Sequence, residues 1–227
     1  MKFPCRLFLF DLDGTLIDSR ADIAFSLNAV LEHLGMPPLS EPRVADFVGG
    51  GVQKLVERSL REITQHEPDS GLMQTCITLF REQYAAHLLD RTRLYDGVAE
   101  ALDRLSWADF AVVSNKPELF CRRILEGLGT ASRFCAILGG DSIQRRKPDP
   151  EALLKAMALC KAQPSETAMI GDSDLDIAAG KAAGVMTCGV LGGFRPREEL
   201  EAAECDILIN DLRELADHFR PPDGFEI

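Results

Sequence analysis

The chain has 227 residues, with Lys+Arg 25 against Asp+Glu 36 and a net charge of -11. Its length allows one large domain or two modest ones, and 46% hydrophobic content is enough for a core, which excludes a disordered chain, a collagen and a coiled coil. An acidic balance without a long basic stripe argues against a nucleic-acid partner, and no apolar run reaches the roughly 18–20 residues of a membrane span.

The first predicted element is Leu7-Phe8-Leu9-Phe10, a short continuous apolar run of the kind buried on both faces of a parallel sheet. It runs into Asp11-Leu12-Asp13-Gly14-Thr15. Asp22 to Leu34 reads as an amphipathic helix, stopped by Gly35 before Pro37-Pro38. Helical patterning then continues near Val52–Ile63 and Leu72–Leu89, around a Pro68-Asp69-Ser70-Gly71 loop. No β-branched run of strand length interrupts residues 19–91, so this stretch is expected to be an all-helical insert.

After it the pattern alternates. Helices are expected at Val98–Leu105, Glu118–Leu128, Glu151–Cys160, Leu175–Ala183, Glu198–Ala203 and Leu212–Phe219. Strands are expected at Phe110–Val113, Cys135–Leu138, Thr167–Ile170, Met186–Val190 and Ile207–Ile209. The tail after Pro221 is expected to fray. The fold class is therefore α/β, a doubly wound parallel sheet with a helical domain inserted after the first strand. Its core would comprise residues 1–18 and 92–227.

Seven cysteines, odd in number and without a C-x-x-C, predict neither a disulfide framework nor a zinc site and fit a reducing cytosol. The four histidines lack the i,i+4 spacing of a helical zinc pair. The apolar stretch at the start is too short for a signal peptide. A cytoplasmic protein is expected, as monomer or homodimer.

In doubly wound sheets ligands sit beyond the carboxyl ends of the strands. Asp11 and Asp13 follow the first strand, and Ser114-Asn115-Lys116 follow the second. Lys147 lies in the loop after the third, and Gly171-Asp172-Ser173 with Asp176 follow the fourth. Asp11 and Asp13, at i and i+2, face one side while Leu12 points away. Asp172 and Asp176, at i and i+4, share a helix face. Carboxylates this crowded need a cation or a proton between them, and an all-oxygen set without His or Cys makes Mg2+ the expected ion.

These motifs, in this order, resemble the haloacid dehalogenase superfamily, and the resemblance spans essentially the whole chain. Residues 19–91 resemble its type C1 cap. Finer features resemble the phosphoglycolate phosphatase branch: Val48-Gly49-Gly50-Gly51, Ser114-Asn115-Lys116-Pro117, Lys147-Pro148-Asp149-Pro150 and Gly193-Phe194-Arg195. Leu105–Phe110 departs from the pattern by lacking a Gly turn.

The resemblance implies a phosphomonoester hydrolase acting on a small phosphate ester, 2-phosphoglycolate first. Asp11 would be the nucleophile, Asp13 the general acid and base, and Lys147 the neutralising cation. Ser114, Asn115 and Thr15 would serve the phosphate. Asp11, the Asp13 carbonyl and Asp172 would hold Mg2+, with Asp176 and Ser173 behind them. Gly49, Gly50 and Gly51 would meet the substrate. Alternatives are a phosphatase or phosphomutase of the same fold for a sugar phosphate, an amino-sugar phosphate or pyrophosphate, and a non-catalytic binding protein on the same scaffold.

Overall fold

The computed structural model describes residues 2–223. The chain divides into two compact units, Met1–Ile17 with Leu94–Ile227, and Asp18–Arg93. In chain order the strands are β1 (Phe3–Pro4), β2 (Leu7–Phe10), β3 (Ile17–Asp18), β4 (Arg93–Leu94), β5 (Asp109–Val113), β6 (Ala136–Leu138), β7 (Thr167–Gly171), β8 (Met186–Val190), β9 (Ile207–Ile209) and β10 (Phe219–Arg220). The helices are α1 (Arg20–His33), α2 (Glu41–Phe47), α3 (Val52–Thr64), α4 (Ser70–Ala86), α5 (Val98–Arg104), α6 (Glu118–Gly127), α7 (Glu151–Cys160), α8 (Asp174–Ala183), α9 (Arg197–Ala202) and α10 (Leu215–His218).

A six-stranded sheet in the order β6-β5-β2-β7-β8-β9 forms the larger unit, and its pairings are all parallel. β2 is central because Leu7–Phe10 is apolar on both faces, and each of its residues is at most 1% exposed. Leu9 pairs Ala111 on one side and Met169 on the other. The chain thus departs from the first strand in opposite directions, which opens a crevice at the carboxyl edge. On one face Leu7, Leu9, Ala111, Val113 and Met169 pack against Leu153, Ala156 and Met157 of α7. On the other, Phe8 meets Trp107 edge-on at 6.0 Å. Leu105–Ala108 turns without glycine, closed by Ala108 N donating to Leu105 O at 2.8 Å.

The smaller unit contains α1 to α4. Its helices bury one stripe each, including Leu27 and Leu31 of α1, Val56 and Leu60 of α3, and Phe80 and Tyr84 of α4. Ser40 caps α2 by accepting from Arg43 N, and Asp69 caps α4 by accepting from Gly71 N and Leu72 N.

Three expectations need correction. The final helix ends at His218, and Phe219 instead pairs with Phe3 in a β1–β10 ribbon. The Leu72–Leu89 helix stops at Ala86. Cys135 and Cys160 form a disulfide, their Cα atoms 6.2 Å apart. Spacing hid the pair because the β6–α7 crossover returns the chain to its start, bringing together cysteines 25 residues apart. The expected frayed tail falls largely on residues 224–227, outside the described residues. Among the described residues no helix is long and apolar enough to cross a membrane.

Candidate active site

β2 ends at Phe10, and Asp11 N still donates to Ile170 O of β7 at 2.9 Å. The chain then winds tightly, with Leu16 N and Ile17 N both donating to Leu12 O at 3.0 Å. Leu12 is wholly buried, whereas Asp11 and Asp13 retain 8% and 9% exposure. The two-residue period therefore holds through the strand end.

Four carboxylates meet two ammonium groups here. Lys147 Nζ lies 2.8 Å from Asp11 Oδ1 and 2.6 Å from Asp176 Oδ1. Lys116 Nζ lies 2.6 and 2.9 Å from the two oxygens of Asp13. Asp172 Oδ2 accepts from Phe194 N at 2.6 Å, and its Oδ1 from Thr15 Oγ1 at 3.4 Å. Asp176 Oδ2 accepts from the backbone N–H and hydroxyl of Ser173 at 3.1 and 2.6 Å. Gly14 and Gly193 wall Asp172 in: a Cβ on either would fall 2.2 or 2.5 Å from Asp172 Oδ2. A side chain at either position would displace the carboxylate.

Burial raises the Asp172 carboxyl to about 8, reinforced by the charges of Asp176 and Asp11. Burial likewise raises Asp11 to about 6, against the opposing pull of Lys147. Burial alone would lower the Lys147 ammonium, but Asp11 and Asp176 outweigh it and hold the group above its ordinary range.

Several residues do something other than expected. Asp172 precedes α8 rather than lying within it, and Asp176 sits at the third helical position in a capping box with Ser173. The two aspartates still converge. Asn115 was expected to serve the phosphate, but its side chain clamps the Lys147 backbone: Nδ2 donates to Lys147 O at 3.1 Å and Oδ1 accepts from Lys147 N at 3.0 Å. Thr15 turns its hydroxyl to Asp172. Ser114, 5% exposed, lies at the end of β5 beside this cluster. Sequence reasoning gave no role to Lys116 or to the Phe194 N–H. Their signal was position, in the loops after β5 and β8.

Gly49, Gly50 and Gly51 form the turn between α2 and α3, with φ of 115° at Gly49 and 82° at Gly51. Lys54 pairs with Glu57 at 2.9 Å, and Arg58 donates to Phe47 O at 3.2 Å.

A divalent cation fits the α/β cluster. Ligand atoms of Asp11, Asp172 and Asp176 lie within 4.8 Å of one another. Four buried carboxylates against two buried ammonium groups leave a formal charge of −2, and the donors are hard oxygens without a soft ligand. Asp11 Oδ1 is buried with the Lys147 ammonium 2.8 Å away, so an ion on this carboxylate would share it with Lys147.

Comparison with known proteins places the chain in a family. The chain is 38% identical over 210 residues to a phosphoglycolate phosphatase of Chromobacterium violaceum, covering 92% of this chain and 93% of that one. It is 38% identical over 214 residues to a phosphoglycolate phosphatase of Pseudomonas putida, covering 92% of this chain and 78% of that one. A crystal structure from Haemophilus somnus, described as a predicted phosphoglycolate phosphatase, superposes with a TM-score of 0.86 at 29% identity, over 94% of this chain and 97% of that one. The model of the haloacid dehalogenase-like hydrolases matches residues 8–190. The buried carboxylates at the edge of this parallel sheet thus belong to an enzyme, and the chain is a member of the haloacid dehalogenase-like hydrolase family.

Proposed function

We propose that the protein hydrolyses a phosphomonoester through an aspartyl-phosphate on Asp11, with 2-phosphoglycolate as substrate and Mg2+ as its ion. A carboxylate oxygen of Asp11 attacks phosphorus, the bond from phosphorus to the alcohol oxygen breaks, and Asp13 gives that oxygen its proton. Asp13 then takes a proton from water, whose oxygen attacks phosphorus and releases Asp11 as the carboxylate. Lys147, beside Asp11 Oδ1, offsets charge gathered by nucleophile and phosphoryl group. The Ser114 hydroxyl donates to a phosphoryl oxygen, while Thr15 and Asn115 support Asp172 and Lys147.

Asp11, the Asp13 carbonyl and Asp172 would hold Mg2+, with Asp176 and Ser173 behind them. When bound, the ion supplies Lewis-acid polarisation of phosphoryl oxygens. One observation supports the phosphatase reading: Asp13 is a second buried carboxylate beside Asp11, outside the Asp11–Asp172–Asp176 set, with Lys116 Nζ on both of its oxygens.

The substrate reading is supported by relatives named phosphoglycolate phosphatase at 38% identity across most of their length. We read residues 19–91 as the cap domain, and backbone N–H groups of Gly49–Gly51 as donors to the substrate carboxylate. The test is kcat/KM across phosphoglycolate, glycerol phosphates, hexose 6-phosphates, amino-sugar phosphates and pyrophosphate with Mg2+. A preference of at least about 30-fold for phosphoglycolate, about 2 kcal/mol of transition-state discrimination, is expected. A flat profile, or a hexosamine phosphate on top, overturns the substrate.

A further inference from the structure

The mechanism above leaves one buried cation unused. Lys116 Nζ contacts both oxygens of Asp13, at 2.6 and 2.9 Å, with side-chain exposures of 6% and 9%. A donor shared by both oxygens restrains the last torsion of the aspartate, which is otherwise broad. The base of the lysine is anchored as well. Lys116 N donates to Ser114 Oγ at 3.4 Å, and Lys116 O accepts from Gly140 N at 2.8 Å and from Cys121 Sγ at 3.7 Å. β5 runs beside β2 with Val112 opposite Phe10, so the two strands deliver Lys116 and Asp13 to the same edge. The other buried lysine is already engaged by Asp11 and Asp176. A buried ion pair is weak evidence for stability, because desolvation offsets the attraction. It does hold a carboxylate in one orientation.

We propose that Lys116 is a positioning residue that fixes the Asp13 carboxylate where it exchanges a proton with the departing oxygen and then with water. The proposal rests on the reading of Asp13 as general acid and base. Lys116 acts through Asp13, so its removal should weaken proton transfer and leave substrate binding largely intact. Misplacement of a reacting group by about 1 Å is enough to cost about 10²-fold.

The experiment compares Lys116→Met with wild type on 2-phosphoglycolate, whose alcohol leaves poorly without a proton, and on p-nitrophenyl phosphate, whose aryloxide leaves without one. On phosphoglycolate the enzyme-phosphorylation step should slow about 10–100-fold, with KM changed less than about 3-fold. The burst of p-nitrophenolate should keep its rate within about 3-fold, since that step needs no general acid. Equal losses on both substrates would mark a merely structural lysine and overturn the proposal, as would an undiminished rate on phosphoglycolate.

Asp13→Asn, measured alongside, should show the same dependence on leaving group. If it does and Lys116→Met does not, the proposal alone fails; if Asp13→Asn lacks it, the acid–base reading fails and takes the proposal with it. The double variant Lys116→Met/Asp13→Asn buries no unpaired charge and should turn over phosphoglycolate at the rate of Asp13→Asn alone. A further tenfold drop would mean that Lys116 acts independently of Asp13, against the proposal.

Discussion

In the α/β unit Asp11, Asp13, Asp172, Asp176, Lys116 and Lys147 are each at most 9% exposed and interlocked at one sheet edge. In the helical unit Arg43 pairs with Glu62, and Arg61 with Glu67, all at least 40% exposed. Exposed pairs contribute little, so their residues are free to vary in type and place. Buried like charges are expensive, and a fold keeps them only where something must be bound or moved. Asp18 and Asp22 are buried carboxylates in the helical unit, and Asp22 is the deeper. It is 1% exposed and accepts from Arg91 N, Thr92 N and Thr92 Oγ1, fastening the first helix of that unit to its last residues.

The contrast breaks most sharply at Asp11. Asp11→Asn, assayed freshly purified, should lose at least about 10³-fold in kcat with its fold intact, because an amide is a poor nucleophile. Lys147→Met should lose about 10²–10³-fold in kcat, since it removes the cation shared by Asp11 and Asp176. Activity within tenfold of wild type in either would move the chemistry elsewhere.

Removal of metal gives the next effect, and its pH dependence has a definite sign. Asp172 and Asp11 hold protons up to about 8 and about 6, whereas an unfolded Asp releases its proton near about 3.9. The folded, metal-free protein therefore binds more protons than the unfolded chain between these values. This contribution to its stability is present at low pH and lost as pH rises toward 8. Mg2+ needs the carboxylates ionised, so the rise in Tm on adding it should grow between about pH 6 and pH 8.5. A Mg2+ effect on Tm independent of pH would contradict the assignment. EDTA should silence turnover, Mg2+ should restore it, and Ca2+, with its looser coordination, should restore much less.

These effects were legible in the sequence to different degrees. Asp11, Lys147 and Asp172 were readable because parallel strands announce themselves as apolar runs and each residue follows one directly or in its loop. The partners were not. Lys116 meets Asp13 across 103 residues, and Asn115 meets the Lys147 backbone across 32. Such contacts depend on which strands are neighbours, and strand order is not written locally. The phosphate role expected of Asn115 came from the resemblance in Ser114-Asn115-Lys116-Pro117, which says nothing of its contact with the Lys147 backbone. In the helical unit, α2 is seven residues long with a proline in its first turn, too short to show a period of its own.

Smaller predictions sharpen the same contrast. Asn115→Ala should lower kcat about tenfold by loosening the loop that presents Lys147. Measured kinetics that leave kcat intact while KM rises would return Asn115 to the substrate. Asp22→Ala should destabilise by about 2–4 kcal/mol, because it strands buried backbone donors; denaturant unfolding reads the loss directly. Arg43→Ala should change neither kcat nor the unfolding midpoint measurably, as an exposed pair predicts.

The central claim is that phosphorus passes through Asp11. The direct measurement is to quench the enzyme in acid during turnover, reduce it with borohydride, and sequence its peptides by mass spectrometry. Acyl phosphates are reduced to the alcohol under these conditions, so Asp11 should be recovered as homoserine, in a substrate-dependent fraction, while Asp13, Asp172 and Asp176 remain aspartate. Recovery of unmodified Asp11 from a protein still turning over, or a phosphoryl group on Ser114 instead, would contradict the account.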